Sequence, residues 1–203
     1  MNFIRKTYDW VLHWADTRWG VYALFILAFI ESSFFIIPPD VLLIALCLGV
    51  TKSSFRYAAI ATVGSVLGAI AGYAIGQYAW ISDGEFTPFA HFFFNNIPGF
   101  TIEVYEKISA WYAEYNFWVV FTAGFTPVPF KVITITSGVF DINFFIFIIA
   151  SLVSRGARFF IIGAMIWKFG APIKVFIDKY FNILALLFTV LLIGGFVLIK
   201  YIF

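Results

Sequence analysis

Long apolar stretches separated by short polar segments make up nearly the whole chain. The first stretch, residues 20–50, carries charges only at Glu31 and Asp40 and is interrupted by the pair Pro38-Pro39. Two consecutive prolines break a helix about halfway through what would otherwise be a membrane span. The apolar pieces 21–37 and 41–50 therefore predict a re-entrant hairpin, which enters the membrane, turns and leaves by the same face.

The tip of this hairpin would carry the carboxylates of Glu31 and Asp40. A charged side chain at membrane depth costs about 2.5–3.5 kcal/mol on insertion scales, so such groups persist where they line a wet cavity, carry a proton or meet a cation. Both residues are therefore candidates for function. The alternative is that Asp40 caps the second half-helix and Glu31 lies near the interface.

Composition places the chain among integral membrane proteins. Hydrophobic residues make up 63% and charged residues 12% of the sequence, and the mean hydropathy is +0.96, well above an average soluble domain. Because apolar stretches recur to the end of the sequence, we expect one membrane domain over residues 1–203. The single cysteine, Cys47, excludes an internal disulfide and a thiolate metal site.

The flanking segments predict further helices. Residues 1–19 have one apolar side, which is typical of an amphipathic interfacial helix. Residues 57–81 carry no charge and are long enough to span a membrane. Glycine recurs there at every fourth position from Gly64 to Gly76, which predicts close packing against another helix. Residues 180–199, within a C-terminal segment 180–203, form a plain apolar span.

Residues 82–116 form the long polar interruption. Its acidic residues outnumber its single Lys107, and its first part is rich in aromatic residues that suit the membrane interface. Its second part, 101–115, predicts a short surface helix. One side of that helix would carry the residues Val104, Ile108, Trp111 and Tyr115. His91 lacks neighbours at ligand spacing, so we interpret it as an interfacial side chain rather than a metal ligand.

Residues 117–168 repeat the opening pattern. An apolar run is again broken by two prolines, Pro127 and Pro129, and a charged residue, Lys131, again follows them. The next span, 142–167, contains Arg155 and Arg158, which lie three positions apart and so on one helix face. Arginine in mid-span is as costly as a carboxylate.

The two patterns superimpose without gaps at a shift of 89 residues. Besides the order of elements, the identical residues that the shift aligns include Pro38 with Pro127, Gly49 with Gly138, Phe55 with Phe144 and Ser65 with Ser154. Lysine and arginine are concentrated in 1–19, 51–56 and 168–179, which the positive-inside tendency places in the cytoplasm, and the acidic 82–116 loop then lies outside. The repeats (20–81 and 117–168) are therefore predicted to be inverted, as in transporters with a binding site near the midplane.

The chain resembles a known family at three places. These are Glu31 with Pro38-Pro39-Asp40, the stretch from Phe125 through Lys131 to Ser137-Gly138, and Ser154-Arg155 with Arg158-Phe159. Over roughly residues 20–170 they resemble the DedA family, also called the SNARE-associated or VTT domain family, nearest its YqaA-like branch. The resemblance implies a bacterial inner-membrane protein with two opposed re-entrant hairpins. It also implies movement of lipids across the bilayer, including undecaprenyl phosphate recycling and phospholipid scrambling, dependent in some members on the proton motive force.

One departure leaves the substrate open. The family's second hairpin often carries an Arg-Phe-x-Pro-x-x-Arg pattern, whereas this chain has Phe125 two positions before Pro127, Phe130 three positions after it, and only Lys131 as a cation nearby. A lysine offers a point charge where arginine would clamp phosphate with two hydrogen bonds.

The hypothesis drawn from these observations is a lipid transporter. Lys131, Arg155 and Arg158 would attract a lipid phosphate, and Glu31 and Asp40 would titrate and couple binding to protons. In the alternative, the charges only pair and pin the hairpins together. A proton- or ion-coupled small-solute transporter would use the same repeats. No nucleophile or metal constellation indicates an enzyme, and we expect no cofactor and no nucleic-acid partner, with a homo-oligomer left open. Pro38, Pro39, Pro127, Pro129 and Gly138 would shape the hairpins.

Overall fold

The computed structural model describes residues 19–33, 38–82, 84–96, 101–125 and 130–170, with the single positions 17 and 172. The predicted interfacial helix, the predicted C-terminal span, Pro127 and Pro129 lie outside the described residues. In chain order, the described elements are α1 (Gly20–Ser33), α2 (Pro39–Gly49), a 3-10 turn (Thr51–Ser53), α3 (Ser54–Trp80), β1 (Ile81–Ser82), β2 (Glu85–Phe86), α4 (Pro88–Asn96), α5 (Ile102–Phe125), α6 (Phe130–Val139) and α7 (Phe144–Phe169). The two short strands pair antiparallel.

Among the described residues, two helices are long and apolar enough to cross a membrane. They are α3 together with the turn before it (Thr51–Trp80), and α7. Their bounds agree with the spans predicted over 57–81 and 142–167, while α1, α2 and α6 are apolar but shorter. The chain is thus an all-α membrane protein, as its composition predicted.

Helix α3 lies at the centre and packs against α1, α6 and α7. Four small residues on α3 make this packing close, namely Gly64, Gly68, Gly72 and Gly76. A Cβ on either of the first two would run into backbone carbonyls of α1, and a Cβ on either of the last two would run into α6. The predicted packing role of the glycine repeat is therefore confirmed.

Helix α5 is longer than the predicted surface helix, and one of its sides is buried. It does not end at Tyr115 but continues to Phe125, since no proline interrupts 102–125. Its buried side carries Tyr105 and Tyr112, whereas Trp111 is 45% exposed. The tyrosine hydroxyls find partners at the end of α6, the Val139 carbonyl and the Thr136 hydroxyl, so these rings can turn inward.

The buried apolar side chains form two clusters. One joins α1, α2, the first half of α3 and the end of α7, and the other joins the second half of α3, α5, α6 and the start of α7. Along α3 the clusters are separated between Ala61 and Ala69, and along α7 between Ala150 and Phe159. A layer of buried polar residues occupies both gaps.

Candidate functional site

The polar layer is centred on Arg155 of α7, whose side chain is only 2% exposed. One terminal nitrogen of its guanidinium lies 2.7 Å from Oε2 of Glu31, at the end of α1. Its Nε donates to Oγ of Ser65 on α3, at 2.8 Å. A buried guanidinium is tolerated when its charge is paired and its N–H groups are bonded. Glu31 pairs the charge here, and Glu31 and Ser65 accept from two of the three nitrogens.

Two phenylalanine rings complete the enclosure of this arginine. The guanidinium carbon lies 4.6 Å from the ring centre of Phe159 and 5.2 Å from that of Phe130. Both distances are within the range of cation–π attraction. Phe130 is the first residue of α6, so Arg155 joins the end of α1 to the start of α6.

Hydroxyl groups extend the network across α1, α3 and α6. The Oγ atoms of Ser32 and Ser65 lie 2.6 Å apart, and the Ser32 hydroxyl also donates to Glu31 Oε2 at 3.2 Å. From α6, the hydroxyl of Thr134 donates to the Ser32 carbonyl at 2.8 Å. This contact is possible because α3 presents Gly72 at the crossing. The network therefore fixes the distance between α1 and α6.

Arg158 forms the second ion pair, with Asp40. Its Nε and one terminal nitrogen bond the two carboxylate oxygens at 3.0 and 2.9 Å, which is a two-pronged contact. The side chains are 19% and 16% exposed, so this pair is more accessible than the first. Asp40 thus binds a guanidinium, and the alternative that it merely caps α2 does not describe its hydrogen bonds.

The prolines before Asp40 explain its position. Pro38 is extended, with φ −62° and ψ 121°, and Pro39 is the first residue of α2. Proline suits that position because its missing N–H would have no helical partner. Asp40 consequently falls in the first turn of α2, where the helix dipole favours a negative charge.

The structure brings four of the five predicted charged residues together as pairs: Glu31 with Arg155, and Asp40 with Arg158. The fifth, Lys131, is half-buried near the start of α6 and follows Phe130, whose ring faces Arg155. Gly138 is buried against the backbone of Tyr73 on α3, where a Cβ would clash. This close approach accounts for glycine at that position.

Sequence reasoning did not assign a role to Ser32, Ser65 or Thr134. Each is a small polar residue in an apolar helix, where the usual interpretation is a hydroxyl bonded to its own backbone. The available signal was the position of Ser65 on the glycine side of α3, which faces protein.

Within the described residues, no three His, Cys, Asp or Glu side chains lie close enough to hold a metal ion. His91 is exposed, with the rings of Phe86 and Phe94 beside it at 6.3 Å. Its surroundings agree with the interfacial interpretation.

With this geometry in hand, comparison with known proteins gives the family. The family model of the VTT domain matches residues 37–168, which contain Asp40, both arginines and all of α2 to α6. The chain belongs to the VTT domain family. This confirms the family inferred from the motifs around Glu31, Lys131 and Arg155.

Three relatives of this VTT domain chain cover most of its length. An uncharacterized protein of Haemophilus influenzae is 36% identical over 186 residues, which are 88% of this chain and 90% of the relative. An uncharacterized protein of Histophilus somni is 33% identical over 183 residues, 88% of this chain and 91% of the relative. The undecaprenyl phosphate transporter A of Staphylococcus aureus is 30% identical over 161 residues, 76% of this chain and 71% of the relative. No solved structure matches significantly.

Proposed function

We propose that this VTT domain protein is a transporter that moves an anionic lipid, undecaprenyl phosphate or a phospholipid, across the inner membrane of a bacterium in a proton-coupled step. The proposal rests on the two ion pairs that link α1 and α2 to α7, in the polar layer between two apolar clusters. The relative named as an undecaprenyl phosphate transporter supports the choice of lipid.

The Arg158 guanidinium is the proposed phosphate ligand. Its two-pronged contact with Asp40 has the geometry that a phosphate can equally satisfy, because carboxylate and phosphate oxygens have similar spacing. A lipid phosphate entering the layer would replace the Asp40 carboxylate on the guanidinium. Lys131 would add a second positive charge from α6.

Proton uptake follows from this exchange. Once displaced, the Asp40 carboxylate has lost its cation in a poorly hydrated site, which raises its affinity for a proton. Release of the lipid on the other side returns Arg158 to Asp40 and expels the proton. Glu31 would hold Arg155 in place during the exchange and is the second candidate for protonation. Lipid and proton thus bind to opposite members of one pair, and binding of the lipid favours binding of the proton.

The proposed topology is an inverted repeat of two re-entrant hairpins in a single membrane domain. It is supported by the order of elements, since the shift of 89 residues carries α2 onto α6 and α3 onto α7 to within about two residues. Single cysteines at Lys52 and Glu103, in a Cys47→Ala background, test it by labelling from each side. Labelling of Lys52 from the cytoplasm and Glu103 from outside is expected, and labelling of both from one side would contradict it.

Transport into proteoliposomes tests the function. We expect labelled undecaprenyl phosphate or phospholipid to cross the bilayer faster when a pH gradient is imposed, and Asp40→Asn to remove this acceleration, since the amide keeps the volume and loses the proton site. Glu103→Gln, an exposed acidic residue of α5, is the control and should behave as wild type.

A charge swap separates transport from simple pairing. The double variant Asp40→Arg with Arg158→Asp keeps an ion pair between α2 and α7 but reverses it. If the pair serves only as a structural link, the swap restores pH-dependent transport, and the mechanism proposed above is wrong. Accumulation of a labelled small solute or ion without movement of lipid would instead favour the small-solute transporter.

A further inference from the structure

A cavity of about 500 Å³ lies apart from the ion pairs, where the turn between α6 and α7 contacts the last turns of α3. Tyr73, Gln77 and Tyr78 line it from α3. These residues follow Ser65 by 8 to 13 positions, which places the cavity roughly 12–20 Å along the helix from the polar layer. It goes beyond the proposed phosphate site, because it shares no residue with that site.

The cavity is lined by one carboxylate, that of the exposed residue Asp141. Its Oδ1 accepts a hydrogen bond from Gln77 Nε2 at 2.8 Å. The Tyr73 hydroxyl lies 3.3 Å from the same oxygen and donates its single proton to the Ile142 carbonyl, at 2.8 Å. Both neighbours are neutral, and within the described part of the chain no Lys, Arg or His pairs with Asp141. Its charge is left without a counter-ion from those residues.

Aromatic rings form the wall beside this carboxylate. Tyr78 is 76% exposed, and Phe144 is 37% exposed with its ring against that of Tyr73, at 5.2 Å between centres. A carboxylate next to exposed aromatic faces is the combination that attracts an organic ammonium group, through charge and through cation–π contact. A phosphate would meet only negative charge here.

The level of the cavity along α3 indicates where the ammonium group comes from. Tyr78, which is exposed, stands near the end of the apolar span, where aromatic residues mark the boundary between lipid and water. Next to the cavity, Ile75 and Phe145 expose apolar side chains, 44% and 77% exposed, that suit acyl chains. A lipid head group at this boundary therefore reaches the carboxylate while its chains remain beside α3 and α7.

We propose that this cavity binds the ammonium head group of an aminophospholipid, with Asp141 as the charged partner and Tyr78 and Phe144 as the aromatic wall. The volume is within the range of small-molecule sites and exceeds what an ethanolamine group fills. On the topology proposed above, the cavity faces the outer leaflet.

Native mass spectrometry of the full chain, titrated with dioleoyl phosphatidylethanolamine or dioleoyl phosphatidylglycerol, tests the proposal. Wild type should retain the ethanolamine lipid more tightly than the glycerol lipid. Asp141→Asn should weaken binding of the ethanolamine lipid about tenfold and leave binding of the glycerol lipid unchanged. Asparagine is the matched replacement, because it accepts the positive φ of 47° at this position and can still accept from Gln77.

Further variants complete the design. Phe144→Leu should weaken binding of the ethanolamine lipid about threefold, since the ring is lost while an apolar contact remains. Glu103→Gln removes an exposed carboxylate outside the cavity and should change nothing. Melting temperatures of all variants identify any loss of folding, and binding is compared only among folded proteins.

Three results would overturn the proposal. They are equal retention of both lipids by wild type, unchanged retention of the ethanolamine lipid in folded Asp141→Asn, and an equal loss in Glu103→Gln. Glycerophosphoethanolamine, which has the head group without acyl chains, distinguishes a lipid from a soluble amine. Weak competition supports the lipid as ligand, and competition as strong as that of the intact lipid contradicts it.

Discussion

The two ion pairs of α7 lie one turn apart and differ in their surroundings. Arg155 is enclosed by Glu31, a serine hydroxyl and two aromatic rings, and its side chain is 2% exposed. Arg158 has a better match to its carboxylate, with two bonds to Asp40, but both side chains retain contact with the surroundings. The first pair is built into the packing of four helices, and the arginine of the second pair is only partly covered.

This difference divides the roles of the charges. Breaking the Arg155 pair exposes no free ligand site, because the hydroxyl network and the rings remain around it, and it leaves a buried charge uncompensated. The Arg158 guanidinium is more exposed and makes a two-pronged contact that a phosphate could also satisfy. On the function proposed above, Arg155 is therefore the positioning residue and Arg158 the residue that exchanges its partner.

The largest expected effect is that of Arg155→Met, which should lower the free energy of unfolding by about 3–5 kcal/mol, because Glu31 loses its cation and the Ser65 hydroxyl loses its buried partner. Arg158→Met should cost about 1–2 kcal/mol, since the guanidinium that is lost is 19% exposed. Unfolding in mixed micelles measures both. Glu31→Leu added to Arg155→Met should recover part of the loss. Equal losses for the two arginines would remove the distinction between the pairs.

Much of this arrangement could be predicted from the sequence, because charges inside apolar stretches are rare and each needs a partner. Glu31, Asp40, Arg155 and Arg158 were singled out on that ground, and the family followed from the motifs around them. Which acid pairs with which arginine could not be predicted. The choice depends on how α1 and α2 lie against α7, and helical spacing carries no information on that.

Other features were not accessible from the pattern. Ser65 and Thr134 are short hydroxyl side chains, and their bonds to Arg155 and to the Ser32 carbonyl arise only where α1, α3 and α6 cross. Which side of α5 is buried was not predicted, because tyrosine and tryptophan have similar apolar character. Tyr112 turns inward because its hydroxyl bonds the Thr136 hydroxyl on α6, whereas Trp111 remains 45% exposed.

The next effect concerns the packing beside each pair. Gly72→Ala should cost about 1–3 kcal/mol, since a Cβ there would lie 2.9 Å from Thr134 Cβ and 3.0 Å from the Ser32 carbonyl oxygen, beside the enclosed pair. Gly156→Ala, between the two arginines on α7, is the matched control, because the nearest atom would be Thr62 Cγ2 at 3.7 Å. The higher helix propensity of alanine should stabilise the protein by about 0.5–1 kcal/mol. Melting temperatures should move in opposite directions, and parallel shifts would mean that the crossing at Gly72 has room to adjust.

The smallest expected effect is that of Ser65→Ala, which removes the bond to Arg155 Nε and the contact with Ser32 Oγ and should cost about 1–2 kcal/mol. Double-mutant cycles test whether Ser65 acts together with Arg155 or with Arg158. With Arg155→Met the losses should fall short of additive by about 1 kcal/mol, because both substitutions remove the same bond, whereas with Arg158→Met they should add to within about 0.5 kcal/mol. Coupling of Ser65 to Arg158 as strong as to Arg155 would show that the two pairs form one unit, and the separate roles inferred from their surroundings would then be wrong.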